Sequence, residues 1–130
     1  MNFGDSDLVA MAREAALAAY APYSSFRVGA AVLAADGRIF TGANVENAAY
    51  PSSNCAEATA IGTAASAGVR EVKTVAVACI DAPSVESAYP CGHCRQILWE
   101  FGTERVLVTT AHDEVRDHPL GELLPHGFSL

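Results

Sequence analysis

The sequence predicts an α/β fold, a mixed sheet carrying helices on its faces. Three observations carry that expectation. Residues 26–34 and 38–45 flank Asp36-Gly37, the pattern of an antiparallel hairpin. Residues 72–80 form a nearly continuous apolar run, typical of a strand covered on both sides. From residue 54 onward helical and strand patterns alternate, which places helices against a sheet.

Residues 5–20 read as a helix capped by Asp5 or Ser6, with Leu8, Met11, Ala12, Ala15 and Ala19 on one face and Pro22 ending it. Its other alanines fit either contact on several sides, a second subunit included, or plain helix propensity. Residues 26–34 form the first strand; after a two-residue turn, 38–45 form the second. Residues 44–50 lead through Pro51-Ser52-Ser53 to an alanine-rich helix, 56–67, that opens at Cys55 and is closed by Gly68. The strand over 72–80 follows, then a loop over 81–89. A helix then runs from Cys91 to near Gly102, and Pro90 suits its start because a missing N–H costs little there. Residues 105–110 form a further strand, 112–116 a weaker one, and 120–124 a short terminal helix before Pro125. No repeat, low-complexity segment or linker interrupts the chain, so 1–130 reads as a single domain.

A chain of 130 residues buries roughly two thirds of its unfolded surface. Half of it is hydrophobic, yet no apolar run nears the ~20 residues of a membrane span. No basic segment precedes an apolar one at the N-terminus, so the expectation is a cytoplasmic protein without a secretory signal. The net charge of −7 argues against a nucleic-acid surface, which needs Lys and Arg to displace counterions. Nor is there a local basic pocket for a phosphate. An uncharged nucleoside or base is the better partner.

Cys55-Ala56-Glu57 and Pro90-Cys91-Gly92-His93-Cys94 carry the chemistry. Cys91 and Cys94 stand close to one helical turn apart, so both thiols can face one point. Cys55 opens another helix, and the positive end of a helix dipole favours thiolates. Three protein ligands leave the fourth tetrahedral position of a zinc ion to water, whose pKa the metal lowers toward neutrality. Glu57, not needed as a ligand, stands beside Cys55 to move protons. A Cys followed by Glu and later by P-C-x-x-C is a known signature of zinc deaminases acting on cytosine or adenine.

Other readings of these residues exist. A CxxC pair can be redox-active, though this leaves Cys55 and Glu57 unexplained. Cys79 could complete a closed four-cysteine structural site, but inside a strand a free Cys more often serves as a small hydrophobe. Glu57 could be only a favourable acid in a first turn. Asn44 and Glu46 alternate along a strand end and can share a face, or merely cap the following loop. Phe26 reads as core on pattern alone. His93 reads as exposed between ligands, and His112, His118 and His126 as solvent-facing.

The chain also resembles the short, three-cysteine cytidine deaminases. Besides NCAE and PCGHCRQ it carries APYSSFRVGAA at 21–31, GRIFTGANVENAAY at 37–50 and LLPHGF at 123–128, in the family's order and spacing. The resemblance implies a three-layer α/β/α domain with about five strands. It implies hydrolytic deamination of cytidine and deoxycytidine, with one Zn²⁺ per subunit on Cys55, Cys91 and Cys94 and with Glu57 as proton carrier. It assigns Asn44 and Glu46 to the ribose 3′-hydroxyl and sets Phe26 against the pyrimidine, with Ala56 also in the substrate site. Ala48, Tyr50 and Phe128 would reach a neighbouring subunit's pocket in a homotetramer. In one respect the chain departs from that pattern. Many such enzymes place arginine after the catalytic glutamate, where a guanidinium offsets the thiolate charge; here Ala58 stands there, leaving Arg95 and the helix dipoles to compensate. An aminonucleoside-antibiotic deaminase of the blasticidin S type is the alternative within this chemistry, although it lacks the ribose-binding N-V-E-N pattern. A zinc-stabilised protein without activity is the alternative outside it.

Overall fold

The computed structural model describes residues 3–130. The first helix, α1 (Asp5–Ala16), precedes the hairpin of β1 (Val28–Ala34) and β2 (Ile39–Ala43). Helix α2 (Ala56–Ser66), β3 (Val72–Cys79), α3 (Gly92–Glu100), β4 (Arg105–Thr109), β5 (Val115–Pro119) and α4 (Leu120–Leu123) follow. The strands form one sheet in the order β2-β1-β3-β4-β5; β3 and β4 are parallel and the other neighbours antiparallel. This is the mixed five-stranded sheet expected.

Strand side chains alternate between faces. Ala31, Ala76, Ala78 and Leu107 turn to α1 and pack with its Leu8, Val9 and Ala12. Ala30, Val32, Val75, Val77, Val106 and Val108 turn the other way, to Ala56, Ala60 and Ile61 of α2 and Leu98 of α3. The result is three layers, helix on sheet on helices. Two glycines let the helices lie this close. A Cβ on Gly29 would fall 2.0 Å from the Ala12 carbonyl oxygen of α1, and one on Gly42 would fall 2.5 Å from the Ala60 nitrogen of α2. Gly42 therefore fixes how closely the start of α2, with Cys55 and Glu57, approaches the sheet.

The structure moves several expected boundaries. Helix α1 stops at Ala16, short of Pro22, because the chain leaves the sheet there and Tyr20 pairs with Val45 instead. Its cap is Gly4 rather than Asp5 or Ser6, and the Gly4 N–H donates to the Asp7 carboxylate at 2.9 Å. The hairpin loop has one residue more than the Asp-Gly signal promises. Ala34 N–H donates to Arg38 O and Gly37 N–H to Ala34 O, with Gly37 at φ 93°, which glycine adopts without strain. The weak fifth strand is real but lies at 115–119 instead of 112–116. Among the described residues no helix is long and apolar enough to cross a membrane.

Candidate metal centre

Helices α2 and α3 begin side by side on one face of the sheet, near the C-terminal end of β3. Cys55 is the N-cap of α2 and Cys91 the N-cap of α3, and Pro90 stands one residue outside that helix. Cys94 lies in the first turn of α3, fully buried. The three sulfurs lie within 4.8 Å of one another. Tetrahedral zinc with Zn–S bonds of about 2.3 Å holds its sulfurs roughly 3.8 Å apart, so the cluster needs only slight contraction to bind the ion. Among the described residues no fourth His, Cys, Asp or Glu joins the group. The donor set is therefore three soft thiols with one position open, as suits catalytic zinc rather than a closed structural site.

The cluster's charge is already polarised without metal. Hydrogen bonding from the Cys94 thiol brings the Cys55 thiol down to about 6, while Cys94, which gives that hydrogen and is buried, is pushed up. Helix dipoles aimed at the sulfurs favour the same negative charge. Glu57 sits in the first turn of α2, only 4% exposed. Burial, with the Cys55 charge adding to it, raises its carboxyl to about 7.

A cavity of about 230 Å³ opens over the cluster, with Cys55, Glu57, Cys91 and Cys94 in its lining. Phe26, Asn44, Glu46 and Ala56 also line it, so eight of the residues singled out from sequence come together here. Ser25, just before Phe26, holds a left-handed φ of 57°, a strained corner that aims the chain into the cavity. Glu46 holds that corner. Its carboxylate accepts from the Tyr23 and Ser24 N–H groups at 3.0 and 3.1 Å and from the Ser24 hydroxyl. Asn44 donates to Phe26 O and accepts from Val28 N–H, both at 2.9 Å, closing the end of β1 where strand pairing stops.

Ala48, Tyr50 and Phe128 do not line this cavity and are exposed, Tyr50 and Phe128 at 73% and 67%. The Phe128 backbone is held by both ends of the Gln96 amide. Arg95 donates Nε to Pro90 O and Nη1 to Leu123 O, each at 2.8 Å. Its hydrogen bonds thus go to carbonyls rather than to the sulfurs for which the sequence offered it as a partner.

The chain matches the family model for the cytidine and deoxycytidylate deaminase zinc-binding region over residues 4–110. It is 44% identical to a cytidine deaminase of Sporosarcina psychrophila, over 94% of this chain and 89% of that one. A cytidine deaminase of Mycobacterium tuberculosis is likewise 44% identical, over 92% and 85%. The crystal structure of cytidine deaminase from Burkholderia pseudomallei superposes with a TM-score of 0.88 at 41% identity, covering 97% of this chain and 100% of that one. The chain belongs to the cytidine and deoxycytidylate deaminase family.

Within that family's fold, the cavity lining also holds Cys79, which the sequence offered as a fourth ligand, and Tyr89, which it did not single out. Cys79 walls the cavity outside the group of three thiols; its thiol donates to Ala88 O at 3.5 Å, and burial raises it to about 12. Tyr89 also lines the cavity, and its hydroxyl meets His118 Nε2 at 2.7 Å. His118 is accordingly half-buried and partnered, not solvated as its polar surroundings suggested; His93, His112 and His126 are exposed, as expected. The spacing of CxxC and CAE and the alternation of Asn44 and Glu46 can be read along the chain. A Tyr–His pair from separate elements has no such signal.

Proposed function

We propose that this protein is a zinc-dependent cytidine deaminase, hydrolysing cytidine and deoxycytidine to uridine and deoxyuridine with release of ammonia. One observation carries the reading: three converging thiols with an open fourth position share a nucleoside-scale cavity with a buried carboxyl that is not a ligand. Bound to Cys55, Cys91 and Cys94, Zn²⁺ would supply a Lewis acid that brings the pKa of water toward neutrality.

The protein's own groups do the rest. Glu57 takes a proton from the attacking water and gives it to N3 of the base as the oxygen adds to C4. It then carries the remaining hydroxyl proton to the amino group, the C4–N4 bond breaks, and ammonia leaves with C4 as a carbonyl. The Phe26 ring packs on the flat pyrimidine. Asn44 and Glu46 receive the ribose 3′-hydroxyl, with hydrogen-bonding capacity left after holding the Phe26 corner. A carboxylate there accepts a sugar hydroxyl and repels a 3′-phosphate. The Ala56 backbone at the start of α2 borders the reacting edge.

The whole of residues 1–130 acts as one domain in this reading, in the reducing cytoplasm that unpaired thiols require. Four copies assemble, with Ala48, Tyr50 and Phe128 entering a neighbour's cavity. Supporting this are their exposure and the exposed apolar side chains of Leu17, Tyr20, Tyr23 and Val45. Sedimentation as four chains, and a raised KM on Phe128→Ala, would bear it out; an active monomer would remove it.

The test of the activity is the fall in cytidine absorbance on incubation with zinc-loaded protein, against a panel that includes deoxycytidine and blasticidin S. Turnover of cytidine supports the proposal. Turnover of blasticidin S alone, or stoichiometric zinc with no turnover, replaces it.

A further inference from the structure

Cys91 is the exposed member of the cluster. Cys94 is buried within a helix, whereas Cys91 is exposed and ends the segment that crosses from β3 to α3 with only the short turn Val85–Ser87 to stiffen it. A ligand on such a segment binds metal tightly only if its neighbours are immobilised. Three successive residues before it are tied down, each to a different element. Ala88 O accepts from the Cys79 thiol of β3. Tyr89 Oη meets Nε2 of His118 in β5 at 2.7 Å. Pro90 O accepts Nε of Arg95, whose Nη1 donates onward to Leu123 O of α4.

The middle tie is a relay. Glu122 of α4 lies 2.8 Å from His118 Nδ1. A carboxylate only accepts, so Nδ1 carries the hydrogen that faces Glu122, which fixes the ring with Nε2 toward the phenol hydroxyl. The Tyr89 and His118 rings also pack at 5.2 Å between centroids.

We propose that Tyr89, acting through His118 and Glu122, is a positioning residue that clamps the Pro90–Cys91 segment to the C-terminal β5–α4 unit and so keeps Cys91 within the metal cluster. The inference rests on Cys55, Cys91 and Cys94 being a zinc site, and it assigns part of the metal's affinity to the last elements of the chain.

Tyr89→Phe keeps the ring and removes only the hydroxyl. Zinc release from the loaded protein to excess chromophoric chelator should be about 10- to 100-fold faster in Tyr89→Phe and in His118→Phe. Glu122→Gln, which keeps an acceptor for Nδ1, should release zinc close to the parental rate. The cytidine kcat of Tyr89→Phe should fall with KM little changed, and return when zinc is added in excess. Parental zinc release by Tyr89→Phe overturns the inference, whatever happens to its melting temperature. A kcat that added zinc does not restore overturns it too. Were the parent to hold no stoichiometric zinc, the metal reading would itself fail; a parent that holds zinc with variants that match it leaves that reading intact and removes this one.

Discussion

The two faces of the sheet use similar residues for opposite ends. On the α1 face, Leu8, Val9, Ala12, Ala31, Ala76, Ala78 and Leu107 close on one another, and among the described residues no ionisable group is buried with them. On the other face the same small and branched side chains pack α2 and α3 onto the strands, but near the C-terminal end of β3 the packing opens. There a carboxyl and the thiols of Cys55, Cys91 and Cys94 surround a cavity. One face is free to optimise packing. The other carries groups that burial penalises, which persist because a metal and a substrate need them. Mutations should therefore divide cleanly: stability without chemistry on the first face, chemistry with little or reversed stability effect on the second.

Glu57→Gln should show the largest effect. It is expected to lower kcat about 10²- to 10⁴-fold while zinc stays bound, read by initial rates and metal analysis. Retained turnover would place the proton carrier elsewhere. Its counterpart, Leu8→Ala, should cost about 2–5 kcal/mol of stability in denaturant unfolding, with kcat/KM per folded molecule and zinc content unchanged. A shifted KM would mean that the α1 face is coupled to the cavity after all.

The next contrast is in pH dependence. The Glu57 carboxyl moves from 4.5 to about 7 on folding of the metal-free protein. A raised folded value means that stability is full below the unfolded value and is lost as pH rises through about 7. The Cys55 thiol, lowered from 9.0 to about 6, has the opposite sign and adds stability as pH rises between those values. Comparing wild type with Glu57→Gln isolates the first effect. The two should be alike near pH 4, and above pH 7 the variant should be the more stable by at most about 3 kcal/mol. The Leu8→Ala deficit should not vary with pH. Smallest of all, Ala58→Arg should raise kcat on cytidine a few-fold by offsetting thiolate charge, and no gain would leave Ala58 without a catalytic consequence.

How much of this could be read along the chain follows the same division. Strands β1 and β3 and helices α2 and α3 were legible because their apolar runs, glycines and cysteine spacings are local signals. The metal ligands and Glu57 were legible for the same reason. Helix α1 was overextended because Leu17, Ala18 and Ala19 keep helix propensity after the sheet beneath them has ended. Strand β5 was misplaced because Val115–Pro119 is an edge strand of mostly polar residues, held by pairing with β4 rather than by its own pattern. The Tyr89–His118 contact was invisible because it depends on how separate elements stack. So was the real work of Arg95, which the sequence offered as a partner for thiolates and the fold uses to join Pro90 to Leu123.

The central claim is a three-sulfur zinc with an open corner and Glu57 outside its ligand set. X-ray absorption at the zinc edge of the purified protein tests it most directly. The account predicts three sulfurs at about 2.3 Å and one oxygen or nitrogen at about 2.0 Å, unchanged in Glu57→Gln. Four sulfurs, with Cys79 recruited, or a light-atom ligand lost in Glu57→Gln would contradict it.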